Sequence, residues 1–295
     1  MSSPVPAWRA PALMLIAVAL FAVMDAGLKV LSTRYPPLQV SALRGLASLP
    51  PVAAWALATV GPRALLRVRW PMHLLRGCLS VGMMGGFIYG LARMPLSTAY
   101  AITFAAPLLV TALAGPVLGE RVGPRRWVAI LVGLAGVLVV LRPTGAGMLS
   151  VAGAAVLGAA VCYAISILTT RAMSHHESSQ AMVLWLVAMM SVFAGTLALP
   201  HWQPMTPADV APVMAIGIAG ALAQVALTEA FRHGEASRIA PLEYSALLWG
   251  VLADVLLWRT LPDALTWIGA AIIVGSGLYL LRREPAAGKT DGVPP

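Results

Sequence analysis

Three short strings recur along this chain at a nearly constant distance. Thr33-Arg34 closes one apolar stretch and Thr170-Arg171 closes another, 137 positions on. Leu91-Ala92-Arg93 returns loosely as Ala230-Phe231-Arg232, 139 positions on. The run 126–142 (RWVAILVGLAGVLVVLR) returns as 266–282 (TWIGAAIIVGSGLYLLR), 140 positions on. A constant offset means one unit written twice. Each copy holds five apolar segments of about 17–23 residues, the length that crosses a hydrocarbon core of roughly 30 Å as a helix. Five is odd, so the second copy enters the membrane from the opposite side. The expected fold is an all-α membrane protein of ten transmembrane helices in two inverted five-helix repeats. The repeats cover 8–143 and 149–283, and 284–295 reads as a disordered, polar, cytoplasmic tail.

Composition enters where the solvent must be chosen. The chain is 59% hydrophobic and 11% charged, whereas a soluble domain carries about 25% charged residues. A single soluble core does not keep growing at this length. Inside lipid the backbone must satisfy itself, which uninterrupted helices do. The strict alternation of a porin-like barrel is absent. Spans are expected at 11–31, 38–59, 73–92, 97–118, 126–142, 150–172, 180–199, 209–231, 238–258 and 264–281. The first is too long for a cleaved signal peptide and contains Asp25 and Lys29, so it reads as a retained helix. Cys78 and Cys162 both fall in apolar segments without metal-ligand spacing, so no disulfide, metal or cofactor is expected.

The formal charge of +9 invites a nucleic-acid reading that its distribution rejects. With the N-terminus cytoplasmic, thirteen basic residues from Arg9 to Lys289 fall on the cytoplasmic side, and Arg34, Arg93, Arg142 and Arg259 on the other. This is a positive-inside pattern, so both termini are expected in the cytoplasm. The basic loops suit anionic headgroups. Partners are then a small-molecule substrate and the bilayer, with no nucleic acid; a homodimer is left open.

Charge inside a span needs a partner or a role. Asp25 and Lys29 stand four residues apart on one face of span one, and Arg44 of span two lies in the same outer third. The three are expected to meet, either as a structural ion-pair cluster or as groups facing a ligand or exchanging a proton. APLEYSALLWG (240–250) puts Pro241, Glu243, Tyr244 and Trp249 within little more than two turns. A carboxylate beside a phenol offers an acceptor and a donor, and Trp249 a face for a ring or cation. Gln224 and Thr228 share a face of span eight, and Tyr100 and Phe104 one of span four. Asp254 is expected to pair with Arg259. Pro107 and Pro241 interrupt spans four and nine, which are equivalent in the two repeats; matched breaks point to a midplane site and to gating kinks. Gly82, Gly85, Gly86 and Gly90 of span three read first as close helix packing.

The run 99–143, with Pro107, Gly119-Glu120, Trp127 and Gly133, resembles the first repeat of bacterial ten-helix members of the drug/metabolite transporter superfamily with EamA repeats. ASRIAPLEYSALLWGVLAD and the following TWIG run resemble the second. The APLEY stretch is similar to a subgroup of carriers for small metabolites, S-adenosylmethionine and riboflavin among them. The resemblance implies a central cavity lined by helices one, three, four, six, eight and nine. That places Asp25, Tyr89, Tyr100, Phe104, Gln224, Glu243 and Tyr244 at or near it, and supports Arg44 of helix two less. Where the second repeat usually carries Gly-Glu, this chain has Trp258-Arg259.

The expected function is a secondary transporter of a small polar metabolite (amino-acid-like, nucleoside or cofactor-like) working by alternating access. The alternative is a membrane sensor or structural subunit without transport. No GxxxxGK[ST] loop is present, so ATP is not the direct energy source. No Ser/His/Asp set or HExxH appears, and an enzyme is not expected.

Overall fold

The computed structural model describes residues 8–118, 123–141, 150–173, 176–233 and 240–282. Among these every regular element is helical: α1 (Arg9–Leu31), α2 (Pro37–Leu66), α3 (Trp70–Leu91), α4 (Leu96–Thr103), α5 (Ala106–Leu118), α6 (Pro124–Leu141), α7 (Val151–Met173), α8 (Ser179–Ala198), α9 (Pro207–His233), α10 (Ser245–Ala253) and α11 (Ala264–Arg282). Among the described residues, eight candidate spans are long and apolar enough to cross a membrane, with α4 and α5 together making the fourth. Of the ten expected spans, the ninth is shorter: it is α10 with a 3-10 turn, Ala240–Tyr244, before it and a π turn, Asp254–Trp258, after it. The tenth is α11, apolar over Ala264–Tyr279 among the described side chains. The expectations placed on Glu120 and the 284–295 tail, and on the side chains of Thr228 and Pro241, lie outside the described residues.

The breaks have local causes. Gly61 sits at φ 72 inside α2, a left-handed conformation natural only to glycine, immediately before Pro62. This is where the span expected over 38–59 stops. The fourth span breaks at Phe104-Ala105, one turn before the position expected from Pro107 itself. Pro107 has no N–H to donate to the carbonyl of Thr103, four residues back, so regular helix ends there and restarts at Ala106.

Helices pack in pairs: α1 on α9, α2 on α8, α3 on α7 and α6 on α11, while α4 packs on α10 and α7. Lipid is as apolar as leucine, so helices associate through close packing and interhelical hydrogen bonds. A Cβ at Gly86 would stand 2.7 Å from the Ala155 carbonyl oxygen, so α3 touches the backbone of α7. Gly136 and Gly269 likewise let α6 and α11 approach backbone to backbone.

Polar contacts gather at the two ends. At the end carrying Lys29, Asp209 accepts from Arg34 Nη1 at 2.6 Å and Tyr35 Oη at 2.7 Å, and Gln39 Nε2 donates to the Gln203 carbonyl at 2.7 Å. These bonds sew the α1–α2 turn to the α8–α9 turn. At the opposite end His73 Nε2 lies 2.6 Å from Glu177 Oε2, Arg76 Nη1 donates to the Met182 carbonyl, and Trp185 donates to the Leu65 carbonyl.

Candidate functional site

Asp25 is 7% exposed in the middle of the bundle, where an unsolvated carboxylate needs donors. Tyr100 Oη donates to its Oδ2 at 2.7 Å, joining α1 to α4. The Tyr100 ring is held on two sides. Phe87 of α3 stacks with it at 6.3 Å and 12°, and α10 approaches it through Gly250, where a Cβ would stand 2.7 Å from the ring. Arg44 lies close by and attracts Asp25, yet no ion pair joins them. Its guanidinium donates instead to two thioethers, Met24 Sδ at 3.1 Å and Met190 Sδ at 3.6 Å. Sulfur is a weak acceptor, so Arg44 keeps donor capacity unspent.

One turn further along α4, Phe104 meets Tyr244 edge to face at 5.1 Å. Neighbouring Glu243 has no hydrogen-bond donor and no ion pair among the described residues; Tyr163 of α7 and Tyr244 lie near enough to sense its charge. Tyr244 Oη is buried, has no partner, and lies against Gly277 of α11. Carboxylate and phenol are therefore not the joint acceptor–donor pair expected from APLEY. In a 3-10 turn adjacent residues leave on different sides, so Glu243 and Tyr244 address different neighbours. Gln224 is already engaged within the fold.

Two expected pairings are corrected. Lys29 does not meet Asp25 and Arg44: its Nζ is 3.2 Å from Asp254 Oδ1 and 4.2 Å from the Trp258 ring centroid. Shared helix face does not fix shared depth: Lys29 stands one turn beyond Asp25 on α1, at the level where Asp254 meets the first residues of α4. Asp254 accordingly pairs with Lys29 and not with Arg259, which is exposed at φ 52. Tyr89, expected near the cavity, has the Arg93 guanidinium 3.6 Å over its ring. Trp249 packs on the Ala10, Met14, Val18 and Ala230 cluster between α1 and α9. Sequence reasoning did not single out Tyr163, whose span carries no other signal, nor the buried His73–Glu177 contact, whose partners sit 104 positions apart.

The site therefore joins α1, α2, α3, α4, α7 and the turn before α10, around an arginine and a carboxylate that lack charged partners. Models of the EamA-like transporter family match residues 8–142 and 151–282. The chain belongs to the EamA-like transporter family. It is a multi-pass membrane transporter of small molecules and not an enzyme. The transporter is 33% identical to a riboflavin transporter of Vibrio cholerae over 231 residues, 77% of each chain. It is 28% identical to an S-adenosylmethionine uptake transporter of Rickettsia bellii, over 77% of this chain and 78% of the other. It is also 28% identical to a pseudopaline exporter of Pseudomonas aeruginosa, over 79% and 83%. A crystal structure at 22% identity superposes with a TM-score of 0.63 over 92% of the transporter and 98% of that chain, a likeness of fold alone.

Proposed function

We propose that this transporter moves a small polar metabolite (amino-acid-like, nucleoside-like or cofactor-like) across the bacterial inner membrane by alternating access. The observation that carries this is the pair of unmet demands in the bundle interior. Among the described residues Arg44 donates to thioether sulfurs alone, and Glu243 holds no donor. A charge inside a membrane protein without a partner is costly. A solute that brings an acceptor to Arg44 and a donor to Glu243 meets both demands, with Tyr100, Phe104 and Phe87 offering ring faces. The relatives include both uptake and export proteins, and this chemistry serves either direction.

Two observations support ten spans in two inverted repeats. A two-fold axis that exchanges α1 with α7 and α3 with α9 turns the α1–α9 pair into the α7–α3 pair. It leaves the α2–α8, α6–α11 and α4–α10 pairs unchanged, and all of these pairs are present. The excess of basic residues on one side supports cytoplasmic termini. Such an arrangement has two symmetry-related ends that open in turn around one site.

The test is flux in proteoliposomes with riboflavin, S-adenosylmethionine and a panel of amino acids and nucleosides. Arg44→Gln and Glu243→Gln are each expected to lower the flux of the transported solute by about tenfold, the equivalent of one charge-assisted hydrogen bond. Their amounts in the membrane should be unchanged. Flux at the unmutated rate in both variants would refute the assignment.

A further inference from the structure

Asp254 is fully buried, and its carboxylate accepts four bonds from two other spans. Oδ1 takes Lys29 Nζ at 3.2 Å and the Leu96 N–H at 2.9 Å. Oδ2 takes the Ser97 N–H at 2.8 Å and Ser97 Oγ at 2.6 Å. Leu96 and Ser97 are the first residues of α4, so an aspartate of span nine supplies the cap that α4 lacks, since its own N-cap position is Pro95. Lys29, near the end of α1, closes the ion pair, and Trp258 lies 4.2 Å over its ammonium. One carboxylate thus ties together the ends of spans one, four and nine, directly beyond the Asp25–Tyr100 bond of the site.

The same offset that reveals the repeat makes this tie one-sided. Asp25 corresponds to Cys162, so Lys29 corresponds to Ser166; Phe104 corresponds to Glu243, so Asp254 corresponds to Gly115. The other copy has no charge at either position. Resting on the alternating-access reading above, we propose that Asp254, Lys29 and Ser97 form the outer gate of this transporter. The gate is a polar latch that holds the path closed at the Lys29 end, and the equivalent positions of the other copy, Ser166 and Gly115, cannot form the same ion pair. Trp258, which departs from the family's Gly-Glu, shields the latch. Because the latch is confined to one end, the protein rests closed to the outside. Outward opening requires Lys29 and the α4 N-terminus to leave Asp254 together.

The experiment uses the full chain in lipid nanodiscs, with Cys78 and Cys162 replaced by serine and nitroxide labels at the exposed Thr33 and Leu261. Distances between the labels are read by double electron–electron resonance. The otherwise unmutated protein is expected to show one short distance. Lys29→Met, which leaves both α4 caps in place, and Asp254→Asn are expected to add a population longer by about 5 Å, the scale of a one-turn shift of a helix. Ser97→Ala should add a smaller one. An unchanged distribution in Lys29→Met overturns the latch, and that variant alone decides if Asp254→Asn fails to fold. Parallel flux measurements separate this from the transport reading. If the latch is wrong, distances stay fixed while the unmutated protein transports. If transport is wrong, Lys29→Met still lengthens the distance while no solute moves.

Discussion

Asp25 and Tyr100 stand 75 positions apart and meet at 2.7 Å. Each is costly alone: a carboxylate and a phenol in a lipid-embedded bundle both lose water. Together they form an interhelical bond that also orients Tyr100 between Phe87 and Gly250. Interhelical side-chain bonds in membranes contribute modestly, on average about 0.6 kcal/mol with maxima near 1.7. A double-mutant cycle of Asp25→Asn and Tyr100→Phe, read from unfolding in detergent, should therefore give a coupling energy of about 1 kcal/mol. Additive effects would mean that the two groups do not interact. Arg44 is a contrasting case, since no charged group among the described residues stands within ion-pair distance of it. Replacing it should cost little stability while it costs flux, the separation expected of a group that serves a ligand.

At the scale of the element, the α3–α7 contact shows how the sequence admits close packing. Gly86 and Gly90 lie one turn apart on α3, against Ala155 and Val156 of α7. Gly86 sits against a carbonyl, and backbone cannot move aside as a flexible side chain can. Gly86→Leu should lower stability by about 1–3 kcal/mol, the usual range for overpacking, seen as an earlier thermal midpoint in fluorescence-detected size exclusion. An unshifted midpoint would mean that α3 and α7 do not touch there. Gly158, with open space around its Cβ direction, is the control in the same helix pair, and Gly158→Ala should be tolerated. The two interrupted spans act differently. Pro107 ends α4 by removing a donor. Span nine is regular only over Ser245–Ala253, with altered turns at both ends. Those turns carry Glu243 and Tyr244 on one side and Asp254 on the other, so the irregular backbone lies where the chemistry is.

For the whole molecule, the proposed orientation rests on charge distribution and the proposed motion on the repeat. A fluorescent protein fused after Pro295 should fluoresce in intact bacteria, and alkaline phosphatase at the same point should be inactive. Active phosphatase there would overturn the cytoplasmic assignment of the C-terminus and with it the naming of the Lys29 end as outer. The two ends are built from different chemistry. One is tied by Asp254 and Asp209, the other by the His73–Glu177 contact and by backbone acceptors for Arg76 and Trp185. A machine whose ends alternate needs its two closed states close in free energy. Unequal latches bias the resting state toward one of them.

Helix positions, the membrane as solvent, the duplication and the family were all legible in the chain, because each is written in local or periodic patterns. Apolar length reports a span, a constant offset reports a copy, and Pro107 reports a break. The individual site members Asp25, Tyr100, Phe104 and Glu243 were legible as residues that do not belong in lipid. Their partners were not. Lys29 shares a helix face with Asp25 yet binds Asp254, 225 positions away, and Trp249, adjacent in sequence to the APLEY run, packs on α1. Which donor a buried carboxylate takes depends on which helix ends arrive at the same depth. That is a property of how spans cross and tilt, to which periodicity is blind. The sequence by itself determined the bundle and the identity of its costly groups. Only the tertiary structure decided which of those groups satisfy one another, as Asp254 and Lys29 do, and which, like Arg44 and Glu243, have no charged partner among the described residues.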